Sequence, residues 1–246
     1  MYSFQKHYQR TLAQFYSQVY GGRSLNYSRA KSILQEFGIS SNYRDGMQAA
    51  DLGAGTGFFS VPLSEIGYSV LALDLDPSLN AEHLESIEGH SVTVIEADLM
   101  ALPDYSNAPL DLVLCMTDTI AHLNNEEQIL TLFKMVHRKL CSGGQFLISF
   151  RDQSIALEGE NRFIPFYSGE NLIATTFVEF SDRFVDVTDI IYSKEPDWKM
   201  FTSSYRKVRL VAEGVSSLLE NSGFSIKITK TISGMHFILA EKLEQG

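Results

Sequence analysis

The stretch Asp51-Leu52-Gly53-Ala54-Gly55-Thr56-Gly57 decides the fold of this chain. It follows the short apolar run Met47–Ala50 and leads into Phe58–Val61, where a helical pattern begins. Glycine lets a backbone turn tightly and lets a ligand lie directly against it. In open α/β sheets, nucleotide-like ligands are held where a strand feeds a glycine turn at the start of a helix. The stretch therefore indicates an α/β sheet with a ligand site at this turn.

Composition describes a globular protein that can bury a substantial core. The chain has 246 residues, of which 44% are apolar, and 30 acidic against 20 basic residues give a formal net charge of −10. A non-specific nucleic-acid binder normally needs a basic face, so this balance disfavours a nucleic-acid partner. Cys115 and Cys141 show no metal-site spacing and fit a reducing compartment. Met1–His7 lacks the apolar core of a signal peptide, and no apolar run reaches the roughly 18 residues that span a bilayer. We expect a cytoplasmic protein without a metal site or membrane partner.

Strand-like and helical segments alternate along the first part of the chain. The strand-like segments lie near 48–52, 69–74, 91–95, 111–115 and 144–150. The helical patterns include 58–66, 79–88 and 126–140. Asn125, followed by two glutamates, is expected to cap the last of these helices. Such alternation predicts the α/β class with a doubly wound, mostly parallel, seven-stranded, Rossmann-like sheet.

The alternation ends after residue 150. Between Arg162 and Leu210 the chain is rich in Thr, Val, Ile, Phe and Tyr and carries three turn signals, which predicts four short antiparallel strands. A helix over about 211–221 and two strands near 224–230 and 235–241 follow. At the other end, Phe4, Tyr8, Leu12, Phe15 and Val19 recur at helical spacing. We expect one domain over 1–246, divided into an N-terminal helical lid (1–40), a cofactor-binding half (41–150), a β insertion (155–210) and a last helix with a β-hairpin (211–246).

The spacing of the glycines separates two classes of nucleotide-binding sheet. A dinucleotide fingerprint has the form Gly-x-Gly-x-x-Gly, whereas this turn has Gly53, Gly55 and Gly57. With Asp51 in front of them, the stretch resembles motif I of the class I methyltransferases that use S-adenosylmethionine. The resemblance implies that these glycines and Ala54 surround the cofactor. It leaves Asp51 two roles, orienting the cofactor's methionine amino group through water or stabilising the turn.

Two further carboxylates follow the next two strands. Asp74 ends the second strand, where a carboxylate can accept both ribose hydroxyls of a nucleoside, and Leu75 is expected against the adenine. Asp98 follows the third strand. The resemblance implies that Asp98 accepts the adenine amine and that the backbone of Leu99 donates to a ring nitrogen. A nicotinamide dehydrogenase would explain Asp74, but neither the glycine spacing nor Asp98.

The segment after the fourth strand predicts the class of acceptor. Met116–Leu123 resembles the Gly-Asn-Ser-x-x-His-Leu stretch of glycine N-methyltransferase and its small-molecule relatives, with Thr117 at the Gly position and Asp118 at the Asn position. The Asn-Pro-Pro-Tyr motif of nucleic-acid amine methylases is absent. A carboxylate at 118, near a cationic sulfonium, favours an amine acceptor. Alternatively, Asp118 caps a short helix that begins near Thr119. Within the same segment, His122 is expected to be a packed imidazole.

Two other residues are candidates for the acceptor site. Arg151-Asp152-Gln153, after the fifth strand, resembles the Arg-Asn-Tyr of glycine N-methyltransferase, which implies that Arg151 binds a carboxylate of the acceptor. The alternative is an ordinary surface ion pair. Tyr20 is the lid residue that we expect at the acceptor, with core packing as its alternative.

The sequence thus predicts S-adenosylmethionine-dependent methyl transfer, by in-line displacement, to a small polar acceptor that is an amine or a carboxylate-bearing metabolite. Asp118, Arg151 and Tyr20 are the candidate catalytic residues, and Thr117 is expected beside the cofactor. Two alternatives remain open. One is a methyltransferase that acts on protein or RNA and docks it on the insertion. The other is a non-catalytic module that senses S-adenosylmethionine.

Overall fold

The structure, a computed structural model, describes residues 15–243 and contains two β-sheets. In chain order, the strands of these residues are β1 (Gln48–Leu52), β2 (Ser69–Asp74), β3 (Val92–Glu96), β4 (Leu110–Cys115), β5 (Leu140–Phe150), β6 (Phe163–Ser168), β7 (Leu172–Phe180), β8 (Phe184–Lys194), β9 (Trp198–Val208), β10 (Phe224–Ile232) and β11 (Met235–Lys242).

Helices connect most strands of the first sheet. Within the described residues they are α1 (Tyr16–Val19), α2 (Gly22–Glu36), α3 (Ile39–Asn42), α4 (Ser60–Ile66), α5 (Pro77–Leu84), α6 (Leu102–Tyr105), α7 (Glu126–Lys139) and α8 (Ala212–Glu220). Short 3₁₀ turns cover Leu99–Ala101, Thr119–His122 and Gly159–Arg162.

The first sheet has seven strands in the order β10-β11-β5-β4-β1-β2-β3. Strands β1 to β5 pair in parallel, and β11 is antiparallel to both β5 and β10. The prediction of a doubly wound, mostly parallel, seven-stranded sheet is therefore confirmed. The order reverses between β1 and β4, so the loops after these strands open a crevice at the carboxyl edge of the sheet.

The core has a helical layer on each face of this sheet. On one face, α7 buries Ile129, Leu132, Phe133 and Val136, and the side chain of Asn125 accepts a hydrogen bond from the Gln128 N–H at 2.9 Å. The predicted cap is thus confirmed. On the other face, α2 buries Ala30 and Leu34 against the sheet.

The second sheet is antiparallel, in the order β6-β7-β8-β9, and it confirms the predicted inserted β segment. Alternate residues of β8 and β9 are buried, as expected for strands with one covered face. In the N-terminal region, the predicted helix from Phe4 to Val19 lies mostly outside the described residues, which include only its last part. No helix within 15–243 combines the length and the apolar character needed to cross a bilayer.

Candidate functional site

The glycine turn is held against the end of β2 by its own backbone. The N–H groups of Gly53 and Ala54 both donate to the carbonyl oxygen of Leu73, at 2.8 and 3.0 Å. Gly53 has a φ of +72°, and a Cβ atom there would lie 2.5 Å from the Thr119 side chain. Left-handed backbone and close contact together require glycine at this position.

Asp74 fixes both the turn and the chain that follows β2. One carboxylate oxygen accepts from the Gly55 N–H at 2.8 Å, and the other accepts from the Asp76 N–H at 2.9 Å. Each oxygen retains acceptor capacity, because a carboxylate offers about four lone-pair sites. Burial raises the pKa of Asp74 above its ordinary value of 3.8, although the backbone hydrogen bonds oppose the shift.

A cavity of about 230 Å³, here called the glycine-turn cavity, opens at the carboxyl ends of β1, β2, β3 and β4. Seven of the ten residues that the sequence predicts around the cofactor line it, namely Gly53, Gly55, Asp74, Leu75, Asp98, Leu99 and Thr117. Asp98 also accepts a hydrogen bond from the Met100 N–H at 2.8 Å, which fixes the 3₁₀ turn beneath it. Leu75 and Leu79 supply apolar surface.

The other three predicted cofactor residues, Asp51, Ala54 and Gly57, do not line this cavity. Asp51 is buried and accepts a hydrogen bond from the Ser60 hydroxyl, at the start of α4, at 2.6 Å. Burial raises its pKa to about 6. This bond joins the end of β1 to α4 across the turn, which fits a turn-stabilising role. The Ala54 N–H donates to the carbonyl oxygen of Leu73.

Gly57 fits closely against α5. Its φ is +85°, and a Cβ atom at this position would overlap the ring of His83. His83 is completely buried, and burial lowers its pKa to about 4, so its imidazole is neutral at pH 7. Gly57 therefore lets the helix approach the glycine turn.

A second cavity of about 510 Å³, here called the insertion cavity, lies between the ends of β4 and β5 and the inner face of the second sheet. All three candidate catalytic residues, Asp118, Arg151 and Tyr20, line it. Two residues, Thr117 and His122, line both cavities. The two spaces thus adjoin at the loop after β4, where the sequence placed the boundary between cofactor and acceptor.

Asp118 is buried in an ion pair that the sequence analysis missed. One of its carboxylate oxygens lies 2.5 Å from the Nζ of Lys207 on β9, and the other accepts from the Arg151 N–H at 3.0 Å. The side chains of Asp118 and Lys207 are 10% and 7% exposed. Asp118 has a φ of 70°, and its side chain makes no capping bond to the turn over Thr119–His122. Its partner is instead a cation from the insertion.

The charge of Asp118 is stabilised by this pairing. Burial alone would raise its pKa, but the cation of Lys207, the neighbouring His122 and the hydrogen bonds hold the pKa below the ordinary value of 3.8. The carboxylate is therefore ionised at neutral pH, and the cation of Lys207 balances its negative charge.

The loop that carries Asp118 is fixed to the next strand. Ser149 on β5 accepts hydrogen bonds from the Thr117 N–H at its hydroxyl, at 2.7 Å, and from the Asp118 N–H at its carbonyl, at 3.0 Å. These bonds hold Thr117 and Asp118 in left-handed backbone, with φ of 54° and 70°. Such conformations cost energy for residues other than glycine, so the surroundings must impose them.

The insertion contributes a second buried carboxylate, Asp189, to the cavity wall. Asp189 lies on β8, is 4% exposed and accepts a hydrogen bond from the Thr176 hydroxyl at 2.6 Å. Tyr205 on β9 packs against the ring of His122, with centroids 5.5 Å apart. The sequence carried a signal for Asp189 alone, because the other inward residues of β8 are the apolar Val185, Val187 and Ile191, whereas Lys207 lies beside Ser203 and Tyr205 on β9.

Tyr20 and Arg151 complete the wall of the insertion cavity. Tyr20 stacks on Phe166 of β6, with centroids 6.4 Å apart and planes 21° apart. Desolvation and the nearby charge of Asp189 raise the pKa of Tyr20 to about 12, so its hydroxyl keeps its proton. Arg151 is exposed, and its neighbour Asp152 accepts a hydrogen bond from the Ser154 N–H at 3.1 Å.

Comparison with known proteins matches part of this chain. Residues 49–144 match the family described as "Methyltransferase domain". A glycine/sarcosine N-methyltransferase of Halorhodospira halochloris is 30% identical over 102 residues, which is 41% of this chain and 38% of that protein. A glycine/sarcosine/dimethylglycine N-methyltransferase of Actinopolyspora halophila is 26% identical over 129 residues, or 50% of this chain and 23% of that protein. The chain thus spans less than half the length of either curated relative.

Among solved structures, an S-adenosylmethionine-dependent methyltransferase from Clostridium acetobutylicum ATCC 824 has a TM-score of 0.75 at 17% identity, covering 89% of this chain and 92% of that chain. At this identity the likeness concerns the fold. Together with the match of residues 49–144 to a methyltransferase domain, this likeness supports the predicted resemblance to the class I methyltransferases.

Replacing Gly57 tests the close packing behind the glycine turn. Gly57→Ala combines left-handed backbone, which costs about 1–2 kcal/mol per residue, with overpacking against His83, which costs about 1–3 kcal/mol more. Gly89→Ala is the matched control, because Gly89 has a φ of +79° and open space around it. Urea denaturation should show the larger loss of unfolding free energy for Gly57→Ala. Equal losses would mean that His83 does not constrain the turn.

The Asp118–Lys207 pair predicts strong coupling between the two sheets. Lys207→Met or Asp118→Asn alone should lower the free energy of unfolding by about 3–5 kcal/mol, since each leaves a buried polar or charged group unpaired. The double variant should lose clearly less than the sum of the two. Because the folded pKa of Asp118 lies below its unfolded value, the coupling should be full above that unfolded value and disappear as the pH falls through the folded pKa. Additive losses measured in urea at pH 7 would contradict the pairing.

Proposed function

We propose that this chain binds S-adenosylmethionine in the glycine-turn cavity and methylates the nitrogen of a small polar molecule held in the insertion cavity. The observation that carries the proposal is the junction of the two cavities at Thr117 and His122. A donor and an acceptor in adjoining spaces can be aligned for direct transfer, which is the main requirement of an in-line displacement.

The residues around the glycine-turn cavity fit this cofactor. Asp74 and Asp98 offer acceptors to ribose hydroxyls and to an exocyclic amine, while Leu75 and Leu99 offer apolar surface to a base. Asp76, which also lines the cavity, has a buried carboxylate oxygen with no hydrogen-bond partner among the described residues. Such an oxygen calls for a donor from a ligand or from water. When bound, S-adenosylmethionine supplies an electrophilic methyl group on a positively charged sulfur.

We assign the cofactor-binding roles on the basis of these positions. Asp74 binds the ribose while it holds Gly55 in place, so the turn and the ligand share one carboxylate. Asp98 and the backbone of Leu99 read the adenine. Asp51 acts from behind, through its hydrogen bond to Ser60, and keeps the glycine turn in register with α4.

On the acceptor side, Asp118 has a positioning role. Its pair with Lys207 and its bond to the Arg151 N–H fix the ends of β4 and β5 relative to the insertion. Arg151 lines the insertion cavity, and its guanidinium is suited to a carboxylate of the acceptor. Tyr20 contributes a protonated hydroxyl and closes the cavity from the lid. These walls exclude water from the reacting atoms.

An amine acceptor is supported by the relatives, because both curated proteins are named as N-methyltransferases. The nitrogen must lose its proton before transfer, since only the neutral amine has a lone pair, and an enclosed apolar wall favours the neutral form. A cytoplasmic location is part of the proposal, in keeping with the free thiols of Cys115 and Cys141.

Removing the carboxylate of Asp74 tests the cofactor site. Asp74→Ala should weaken the calorimetric affinity for S-adenosylhomocysteine, the demethylated product, by more than about 10-fold, or about 1.4 kcal/mol. Glu96→Ala is the control, because Glu96 ends the neighbouring strand and pairs with Asp74 in register. Asp74→Asn, which keeps one oxygen acceptor, should lose less affinity. Unchanged affinity in a folded Asp74→Ala variant would remove Asp74 from the site.

Arg151 should act on the acceptor alone. Arg151→Ala is expected to raise the acceptor KM while leaving the affinity for S-adenosylhomocysteine near that of the wild type. Equal loss of both, with a lower melting temperature, would indicate a structural arginine. A panel of amines, carboxylates, peptides and RNA separates the alternatives: turnover of peptide or RNA alone would favour a macromolecular substrate. Tight cofactor binding without any turnover would favour a sensor.

A further inference from the structure

We infer that Gln153 selects the acceptor, by donating a hydrogen bond from its side-chain amide to a hydroxyl group of the molecule held in the insertion cavity. This inference rests on the proposed function and specifies the substrate class of the same site, which is an amine that also carries a hydroxyl group. It assigns a task to a residue that takes no part in the cofactor site or in the pair between Asp118 and Lys207.

The loop after β5 holds Gln153 in a fixed position. Its N–H donates to the carbonyl oxygen of Leu210 at 2.7 Å, and its own carbonyl oxygen accepts from the Nε of Arg209 at 2.9 Å. Because both partners follow β9, these bonds join the end of β5 to the inserted sheet. Gln153 is 8% exposed and lines the insertion cavity. A side chain that is already fixed loses little conformational freedom when it binds a ligand.

The side-chain amide of Gln153 has a determined orientation. Its Oε1 accepts from the Leu210 N–H at 3.4 Å. A backbone N–H can only donate, so the oxygen of the amide must face Leu210 and the nitrogen lies on the other side. Among the side chains and backbone groups that the structure describes, the Nε2 has no hydrogen-bond acceptor, and it is not sealed in the interior. Its two N–H donors are therefore open to the insertion cavity that the residue lines.

The surroundings make these donors selective. Apolar side chains line much of the same cavity, among them Leu157, Val178 and Phe180. A ligand that fills this space displaces water from the amide, and an N–H left without an acceptor then loses its hydrogen bond outright. An oxygen on the ligand restores the bond. Molecules that lack this oxygen are thus rejected, because a buried polar group of the site would remain unpaired.

A second amide indicates that the oxygen belongs to a hydroxyl group. Asn26 on α2 also lines the cavity, and its Nδ2 donates to the carbonyl oxygens of Tyr20 and Gly22, both at 2.8 Å. Its Oδ1 therefore offers an acceptor, whereas Gln153 offers donors. Hydroxyl groups satisfy both kinds of partner, but a carboxylate or an ether oxygen can only accept. Both amides are uncharged, so this recognition does not depend on the charges of the cavity wall.

The first experiment compares matched amines on the intact wild-type protein with a methyl-labelled cofactor. Phenethylamine is the parent compound, and 2-amino-1-phenylethanol and tyramine each add one hydroxyl group at a different distance from the nitrogen. At least one of the two should have a kcat/KM about 5-fold or more above that of phenethylamine, the effect of one buried hydrogen bond. Equal use of the three amines, or preference for phenethylamine, would overturn the inference while leaving methyl transfer intact.

Metabolite extract is labelled in parallel. If it alone yields a labelled amine, that amine replaces the probes, and a labelled product without a hydroxyl group would overturn the inference. Absence of labelled product from the probes and from the extract contradicts the proposed function itself.

The second experiment removes the donor. Gln153→Met and Gln153→Leu should raise the KM for the hydroxylated amine about 5-fold or more, with little change for the parent amine and with unchanged affinity for S-adenosylhomocysteine. Gln35→Met is the control, because Gln35 is exposed on α2 and lines neither cavity, and its KM values should equal those of the wild type. An unchanged KM in a folded Gln153 variant would overturn the assignment, as would an equal rise for both amines, which a merely structural role predicts. Should neither variant fold, the preference of the wild type decides.

Discussion

The buried ion pair between Asp118 and Lys207 joins the two sheets at the point where donor and acceptor would meet. The two residues are 89 positions apart in the sequence, yet their charged atoms lie 2.5 Å apart and almost out of contact with water. Burying one such charge alone would cost several kcal/mol of desolvation free energy, and pairing with the opposite charge offsets that cost. Through Asp118, the pair connects the left-handed turn after β4 with the backbone N–H of Arg151 after β5. Through Lys207, it connects both with the inner face of the inserted sheet. The geometry of the insertion cavity depends on it.

The two cavities depend on different physical properties of the residues that form them. The glycine-turn cavity needs backbone shape, because Gly53 and Gly57 give room where any side chain would collide, and the carboxylate of Asp74 holds the turn through an N–H group. The insertion cavity needs charge balance within apolar walls. Its deep charged residues, Lys207 and Asp189, come from strands whose remaining inward residues pack the interior. The first arrangement suits a fixed cofactor, and the second suits a variable acceptor.

This difference explains what the sequence could predict. Strand and helix positions were readable from periodicity, and the glycine spacing with Asp74 and Asp98 marked the cavity at the strand ends, since these signals are local. The surroundings of three charged residues were not readable. The sequence predicts that Asp118 faces an amine or caps a helix; the structure shows no capping bond and pairs Asp118 with Lys207, which lies in the other sheet. Lys207 and Asp189 stood out only as charged residues in strands with an alternating burial pattern. A short motif does not indicate which distant strands will pair or pack together. Gly57 does not line the glycine-turn cavity, and its close contact with His83 could not be read from the glycine spacing.

The lining residues of the two cavities come from different lengths of the chain, which affects the order in which they become available during synthesis. The glycine-turn cavity is lined by residues between Gly53 and Gln128, whereas the insertion cavity draws on residues from Tyr20 to Met235. Bringing distant segments together requires long loops to close first, which is slow. As the chain leaves the ribosome, the first cavity has all its residues long before the second. A ligand that binds the first cavity would stabilise the sheet on which the insertion docks, whenever that sheet forms.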